Sequence, residues 1–419
     1  MTDYSPSSST PPTAANTRHV VIAGAGIHGL STAYFLSTQH GIRCTLVERT
    51  GCIAPGASSK AAGFLAKTWN DDTPSQKLTH RSFDLHQQLA DQFGADTIQY
   101  RRLQCVGVVI DPTKTKTQPQ PKAKSTKKQK RQLELEWRPL NPDVSSIRDM
   151  GVEATIAQVH PRLLCEQLWK ACQETGLVTL MEGRVVGAQH NPQTGEIQGA
   201  MCQDGTLVPG DALLYAAGAW TANIMYGIKG HSLILPTSRV LKQTIFFETK
   251  NDGEPEVFVR PDETAFVSGY PGEPMKVTEV AGSETIEQAT VDKLVKSVRL
   301  CMGYANDDSD KDNTEEIKTK PDDDGGDPLS IAVSKDPRTV QACYQPCTDD
   351  YLPIMGKLSL RAAGGDHCFI SSGHNCWGIL LAPASGEAVA DLIATGESKH
   401  VDLTPFRPSR YRNLKPVPV

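Results

Sequence analysis

The feature that most restricts how this 419-residue chain can fold is a glycine-rich turn near residue 24. The turn reads Gly24-Ala25-Gly26-Ile27-His28-Gly29. Residues 19–23 before it form an apolar run typical of a buried strand, and residues 30–40 after it have a helical pattern that ends at Gly41. Residues 43–48 then predict a second strand. A strand, a helix and a strand within about 30 residues form the context in which such a turn binds a dinucleotide.

Each glycine of the turn has its own role in that geometry. Gly24 permits the tight turn, Gly26 lets the backbone approach a pyrophosphate, and Gly29 allows close packing of the helix on the strand. Glu48 follows Gly29 by 19 residues, at the end of the second strand, where a carboxylate accepts hydrogen bonds from ribose hydroxyls. A purely structural turn would not explain Glu48. The pattern predicts a dinucleotide site but does not choose between NAD and FAD.

The second strand leads into a segment of small residues, 51–64, which contains Ser58, Ser59 and Lys60. FAD is longer than NAD, and its isoalloxazine ring must be met by chain beyond the first strand–helix–strand unit. Small residues let the backbone pass close to a large planar ligand, and serine hydroxyls can reach phosphate or ribitol oxygens. The segment favours FAD, although an ordinary small-residue loop has the same composition.

A second glycine-framed turn occupies residues 373–378. Residues 368–372 predict a strand before it, and residues 379–395 predict a helix after it that ends at Gly396. A glycine-rich turn into a helix N-terminus presents backbone N–H groups to an anion. A further buried strand is predicted over residues 213–217. The pattern also predicts a helix over residues 75–93, strands over residues 105–110 and 133–138, and an antiparallel sheet over residues 240–280, where the chain alternates.

Composition narrows the class of protein. The net charge of -5 at pH 7 gives no global field that favours nucleic acid or an anionic membrane. The 11 cysteines include no CxxC pair and no Cys/His cluster at metal-ligand spacing. We therefore expect reduced thiols, a cytoplasmic location and no metal site. No stretch approaches the roughly 20 apolar residues that span a bilayer.

Three segments are expected to be disordered: the Ser/Thr/Pro-rich residues 1–17, and insertions at about residues 112–132 and 306–328. Within the first insertion, residues 114–131 carry eight Lys/Arg and no acid. Within the second, residues 307–327 carry ten acids and three lysines. The basic insertion is either a solvated hairpin extension or a docking arm that binds a polyanion.

Taken together, these blocks resemble the superfamily of D-amino-acid oxidase, glycine oxidase and monomeric sarcosine oxidase, and they are similar to fungal oxidases of this group. The resemblance covers most of the chain outside residues 1–17 and the two insertions. It is carried by residues 21–29 with Glu48, by residues 57–64, by residues 216–220 and by residues 372–386, the last being the most specific block.

The resemblance implies an α/β fold: a Rossmann-type FAD-binding domain with a second, largely antiparallel α+β substrate domain. The FAD-binding domain would comprise residues 18–70, 152–235 and 340–410. The substrate domain would comprise residues 71–151 and 236–339.

The resemblance also implies FAD as the cofactor. The loop 374–379 would place backbone N–H groups against the flavin pyrimidine oxygen and stabilise negative charge there. The backbone of Val186 would hold the adenine. The implied cofactor-binding residues are Gly24, Ala25, Gly26, Ile27, His28, Gly29, Glu48, Arg49, Ser58, Ser59, Lys60, Ala61, Ala62, Gly63, Phe64, Val186, Ala217, Gly218, Trp220, Cys343, Gly373, His374, Asn375, Trp377, Gly378 and Ile379.

Four of the side chains have implied roles in chemistry. Cys343 matches the position at which sarcosine oxidase and fructosyl-amine oxidases attach flavin through a thioether, or it is an inert packing cysteine. Lys276 aligns, with a gap, with the lysine that activates oxygen in sarcosine oxidase, or it is a solvent-exposed lysine; Lys60 is a rival cation. His374 is a candidate acid or base, although the family's loop uses the backbone at this position.

The chain departs from the family pattern at Gln345. Glycine oxidase and D-amino-acid oxidase have an arginine there, and its guanidinium holds the substrate carboxylate with two parallel hydrogen bonds. A glutamine lacks that charge. Arg239 is either a substitute for it or a surface residue. The departure argues against a free amino acid as the substrate.

The resemblance therefore implies an FAD-dependent amine or amino-acid oxidase-like oxidoreductase. The implied reaction is hydride transfer from a C–H next to nitrogen to flavin N5; the imine hydrolyses, and O2 reoxidises the flavin with release of peroxide. The alternatives are a dehydrogenase with another electron acceptor, and a flavoprotein that acts mainly as an interaction or trafficking module. The expected partners are a small-molecule substrate and an electron acceptor, without nucleic acid; the sequence does not give the oligomeric state.

Overall fold

A computed structural model describes residues 18–111, 135–136, 143–237, 239–250, 253–301, 339–359 and 366–419. The three segments that the sequence predicts to be disordered lie outside the described residues. The same holds for most of a strand predicted over residues 133–138.

The described residues form six α-helices: α1 (Ile27–His40), α2 (Ala57–Lys60), α3 (Gln76–Phe93), α4 (Pro161–Glu174), α5 (Gln288–Cys301) and α6 (Gly378–Thr395). Their strands are β1 (His19–Ala23), β2 (Arg43–Glu48), β3 (Phe64–Ala66), β4 (Arg101–Arg102), β5 (Gln104–Ile110), β6 (Val144–Gly151), β7 (Ile156–Gln158), β8 (Val178–Glu182), β9 (Val185–His190), β10 (Ile197–Cys202), β11 (Leu207–Pro209), β12 (Ala212–Tyr215), β13 (Tyr226–Pro236), β14 (Gln243–Thr249), β15 (Glu256–Val259), β16 (Thr264–Gly269), β17 (Pro274–Met275), β18 (Thr339–Cys347), β19 (Ile354–Lys357) and β20 (Cys368–Ser372).

Six strands form a largely parallel sheet in the order β19-β20-β12-β1-β2-β8, in which only β19 runs antiparallel to its neighbour. Strand β1 is buried on both faces. Val20 and Ile22 join a core with helices α1 and α6, whereas Val21 and Ala23 join a core with the three-stranded sheet β11-β10-β9. Burial on both faces explains why this run of sequence is continuously apolar rather than alternating.

Helices α1 and α6 lie close together on one face of the parallel sheet. A Cβ added to Gly386 of α6 would lie 2.5 Å from the Ser31 Cβ and 2.7 Å from the Ser31 carbonyl carbon of α1. Asn375–Thr395 is the one helical segment of the described residues that is long and apolar enough to cross a membrane, and 78% of its apolar window is buried in the fold. Its apolar sequence is thus accounted for by its place in the core.

The second sheet has the order β17-β13-β16-β15-β14-β5-β6, and β18 pairs with β13. Its neighbours are antiparallel, except that β14 and β5 are parallel. Helix α5 packs on one face through Val291, Leu294 and Val298.

The predicted boundaries assigned residues 152–235 and 340–410 to the FAD-binding domain. Strands β13 and β18 fall within or at the edge of these ranges but lie in the second sheet. Tyr226–Pro236 and Thr339–Cys347 pair over nine residues and belong to the antiparallel sheet. The reason is that hydrogen-bond partners, rather than adjacency along the chain, decide to which sheet a strand belongs. The rest of the division into domains stays a prediction.

Gly386→Ala should destabilise the protein by about 1–3 kcal/mol, because overpacking of the α1–α6 contact outweighs the helix propensity of alanine, worth about 1 kcal/mol. Chemical denaturation measures the change in the free energy of unfolding. Gly187→Ala in β9 is the matched control, since a Cβ there meets no atom within 4 Å; we expect it to change stability by about 0.5 kcal/mol or less. Equal stabilities of the two variants would contradict this close helix contact.

Candidate active site

A large cavity lies where the carboxyl edge of the parallel sheet meets one face of the second sheet. Its volume of about 860 Å³ is toward the upper end of the range of about 300–1,000 Å³ found for ligand pockets. The turns that follow β1, β2 and β12 line one end, which we call the dinucleotide end. Side chains of β14, β15 and β16 line the other end, and residues 60–64 and 375–379 contribute as well.

The glycine turn at the dinucleotide end has close backbone contacts. Gly24 has a φ of 109°, and a Cβ there would lie 2.7 Å from the Ala216 carbonyl oxygen. A Cβ on Gly29 would lie 2.1 Å from the Gly24 carbonyl oxygen, so both positions exclude a side chain. Helix α1 begins after Gly26, which has no capping side chain of its own, and the first backbone N–H of the helix donates to the Ser58 hydroxyl at 2.9 Å. Its N-terminus is therefore suited to a pyrophosphate, which the helix dipole attracts.

Glu48 ends β2 beside this turn and lines the cavity. Its Oε2 accepts a hydrogen bond from the backbone N–H of Ala25 at 2.9 Å. Burial raises the pKa of Glu48, and hydrogen bonds from backbone N–H groups, that of Ala25 first, oppose the shift. A buried acceptor at the end of the second strand is placed as a ribose-binding carboxylate requires.

Lys60 lines the cavity, but its ammonium group is already engaged. Its Nζ lies 2.5 Å from Oε2 of Glu284 and donates to the carbonyl oxygen of Ala342 at 3.0 Å. The Glu284 side chain is fully buried, with an exposed fraction of 0%. Lys60 therefore compensates a buried carboxylate, which makes it a poor rival for the role of a free cation.

His374 does not present its side chain to the cavity. Its Nε2 is 3.1 Å from the Ser385 hydroxyl, and its ring stacks on that of His28 with 3.6 Å between centroids. Burial lowers the pKa of His374 well below its usual value, and His28 adds to the shift. The predicted acid–base role of this side chain thus has no support in its placement, because a neutral, fully buried imidazole cannot reach a substrate in the cavity.

Cys343, Lys276 and Gln345 all line the cavity. Burial, together with the nearby Glu284 carboxylate, raises the pKa of the Cys343 thiol to about 12, against an opposing effect of Lys60. Lys276 extends from an exposed stretch of chain. The structure thus brings together three of the residues that the resemblance singles out.

Other predicted residues lie away from the cavity surface. Arg239 donates to the carbonyl oxygen of Glu136 at 2.8 Å and does not line the cavity. Val186 is 39% exposed, and the carbonyl oxygen of its neighbour Val185 accepts the N–H of Val419. The predicted residues that do not line the cavity are Ala25, Gly29, Ser59, Val186, Arg239, Gly373 and His374.

The structure also places residues at the cavity that the sequence reasoning missed. Arg184 and residues 417–419 line the dinucleotide end, where Val186 was expected. At the opposite end is a group of six rings that we call the aromatic chamber: Phe64 and Trp377, which the sequence had indicated as cofactor-binding residues, and Trp69, Phe246, Phe258 and Phe266, which it had not. Glu256 lies in the same wall. The alternation of side chains along these strands could have shown which residues share a face with Glu256, but not that this face lines the cavity.

Lys60→Met should destabilise the protein by about 3–5 kcal/mol, because it leaves the buried Glu284 carboxylate without its cation. The double variant Lys60→Met/Glu284→Gln should recover a large part of this loss in chemical denaturation. Lys67→Met is the matched control, since its ion pair with Asp84 is solvent-exposed and worth about 1 kcal/mol or less. A Lys60 variant no less stable than the control would show that the buried pair contributes nothing.

The comparisons with known proteins agree with this geometry. A glycine oxidase of Pseudomonas putida is 23% identical over 409 residues, which cover 93% of this chain and 98% of that protein. An oxidoreductase of Schizosaccharomyces pombe is 26% identical over 423 residues, with coverage of 93% and 98%. The solved structure of glycine oxidase from Geobacillus kaustophilus shares the fold, with a TM-score of 0.68 at 18% identity over 94% of this chain and 100% of that one. The model of the FAD-dependent oxidoreductases matches residues 19–392, and the chain belongs to that family, with FAD as its cofactor.

Proposed function

We propose that the protein oxidises the C–N bond of an amine or amino-acid-like small molecule and uses O2 as the electron acceptor. The observation that carries the proposal is the continuity of the cavity, which joins the dinucleotide end to the aromatic chamber. FAD supplies the hydride acceptor when it is bound. The protein then has to hold a substrate C–H bond within about 3–3.5 Å of that acceptor and to exclude water.

We propose that FAD is held from three sides. The N-terminus of α1, with the Ser58 hydroxyl beside it, takes the pyrophosphate, and Glu48 takes ribose hydroxyls. The N-terminus of α6, which begins at Gly378, contributes backbone N–H groups to the flavin ring. This assignment is supported by the fact that all three elements line one cavity.

Lys276 is the candidate for the cation that promotes the reaction with oxygen. Of the two lysines that line the cavity in the described part of the chain, Lys60 is paired with Glu284 and Lys276 has no ion pair. An uncompensated ammonium group stabilises the negative charge that develops on oxygen during reduction.

A two-stage stopped-flow experiment tests the oxidase. The holoenzyme is first reduced anaerobically with a panel of primary, secondary and tertiary amines and amino acids, and the reduced enzyme is then mixed with O2. We expect fast reoxidation in the wild type and a rate lowered by about 100-fold in Lys276→Met, with anaerobic reduction unchanged. Lys293→Met on the exposed side of α5 is the control. Slow reoxidation of the wild type would favour a dehydrogenase with another acceptor, and a normal rate in Lys276→Met would remove Lys276 from this role.

The bond between FAD and the protein should be non-covalent. A thioether at Cys343 requires a thiolate, and burial, with the added effect of Glu284, raises the pKa of that thiol to about 12. Acid precipitation should therefore leave a colourless pellet and a yellow supernatant in both the wild type and Cys343→Ala. A yellow wild-type pellet that becomes colourless in Cys343→Ala would instead establish the covalent bond.

We also propose that the protein works in the cytosol. All 11 cysteines are free thiols, and eight of them are buried. Reduced thiols are typical of an intracellular compartment.

A further inference from the structure

The aromatic chamber is built by the alternation of three neighbouring strands. Its connected rings have centroids between 5.2 and 6.2 Å apart. On β14, β15 and β16, one set of side chains lines the cavity while the next residues along each strand join the core beneath α5. The cavity-facing set is Phe246, Glu256, Phe258, Phe266 and Ser268, and the core-facing set includes Ile245, Val257, Val259, Ala265 and Val267.

Glu256 is the single acid among these cavity-facing residues. It lies directly across from Phe246 on β14 and from Ser268 on β16. Its Oε2 accepts a hydrogen bond from the Ser268 hydroxyl at 3.4 Å, and no ion pair to it exists within the described ranges. Burial raises the pKa of Glu256 to about 7, and Glu254 adds to the shift. An acid among rings without a cation is costly to ionise, so a cationic ligand would be strongly favoured there.

The chamber also lacks the group that would hold a carboxylate. Gln345 stands at the position where the sequence comparison expects an arginine. The described arginines that line the cavity, Arg49 and Arg184, follow β2 and β8 at the dinucleotide end. Lys60 is paired with Glu284, and Lys276 is a single ammonium group without the two-pronged geometry of a guanidinium.

We propose that the aromatic chamber binds a cationic amine that carries no α-carboxylate, with the ammonium group beside Glu256 and its carbon substituents among the rings. Because hydride transfer needs the lone pair on nitrogen, the ammonium group passes one proton to the Glu256 carboxylate before the C–H bond is oxidised. The faces of Trp and Phe attract an ammonium group. A substrate carboxylate would be repelled by Glu256 and would meet no guanidinium. The inference names the substrate class of the proposed function and rests on that function for the oxidation, whereas the binding of the cation does not depend on it.

Calorimetric titration of the holoprotein with benzyltrimethylammonium tests the binding separately from the chemistry. This cation has no lone pair on nitrogen, so amine oxidation cannot consume it. Benzyl alcohol is the neutral comparison, and we expect the cation to bind at least about tenfold more tightly. N-methylbenzylamine and N-methylphenylglycine differ by an α-carboxylate; the first should reduce the flavin anaerobically and the second should not.

The pH dependence of this binding reports on Glu256, because the ligand keeps its charge at every pH. The raised pKa means that the carboxylate forms only as the pH rises through that value, so affinity should increase about tenfold between about pH 6 and about pH 8. Cys376 also faces Glu256 and stays neutral, since burial raises its pKa to about 12. Burial lowers the pKa of His231, which lines the same cavity. Glu254 is the other charged group that acts on Glu256.

Glu256→Gln removes the charge while it keeps the shape of the side chain. It should lower the affinity for benzyltrimethylammonium about tenfold at about pH 8 and abolish the pH dependence. Glu254→Gln, on the exposed chain just before β15, is the matched control and should bind like the wild type at about pH 8, where Glu256 is ionised with or without the Glu254 charge. Phe246→Leu is a second variant that keeps Glu256 and should weaken binding about three- to tenfold through the loss of one ring face.

The outcomes separate the two proposals. Equal affinity for the cation and benzyl alcohol, a flat pH profile in the wild type, or flavin reduction by N-methylphenylglycine in preference to N-methylbenzylamine would overturn the inference. Tight binding that depends on Glu256, without flavin reduction by any amine, would leave the inference standing and overturn the proposed oxidation.

Discussion

The backbone contact between Gly29 and the Gly24 carbonyl fixes the point at which helix α1 leaves the parallel sheet, and the rest of the site depends on it. Because α1 is held there, Ser31 meets Gly386 and aligns helix α6 beside it. The N-terminus of α6 is consequently brought to the same cavity, where Gly378 lies close to His28. Two helix N-termini therefore converge on one space, and neither helix has an acidic residue in its first turn.

The two sheets are joined by a stretch of chain that crosses the cavity wall. Lys276, Val277, Thr278, Val280 and Ala281 line the cavity from this stretch. Glu284 anchors it to Lys60, and the Glu279 carboxylate contacts both the Tyr344 hydroxyl and Lys229 of the second sheet. Trp220, after β12 of the first sheet, donates to the Glu279 carbonyl at 2.8 Å. Residues from both sheets thus hold one wall in place.

The charges that line the cavity are distributed unevenly. Two arginines and Glu48 line the dinucleotide end, Lys60 is compensated by Glu284, and Lys276 and the Glu256 of the aromatic chamber have no ion pair within the described residues. Electrostatic interactions are strong in such partly desolvated surroundings. The distribution therefore suits an anionic group at one end and a cationic group at the other, which is the basis for the proposed substrate class.

Most of the local structure could be predicted from the sequence, because its signals lie within short windows. The glycine turn, the acid at the end of β2 and helices such as Gln76–Phe93 and Gly378–Thr395 depend on residues that are neighbours along the chain. The strand alternation near residues 244–270 was equally visible. The sequence did not show which face of those strands lines the cavity, because that depends on where α5 packs.

Only the tertiary structure decided which residues far apart along the chain come into contact. Lys60 and Glu284 are 224 positions apart, and their pairing removes a cation that the sequence left free. Burial, with the stacked His28 ring adding to its effect, lowers the pKa of the candidate base His374 and removes its side chain from the cavity. The sequence by itself determined the cofactor-binding turn, because backbone geometry at glycine is a local property. It could not determine which charges are compensated and which side chains face the cavity, because those depend on how separate elements are packed together.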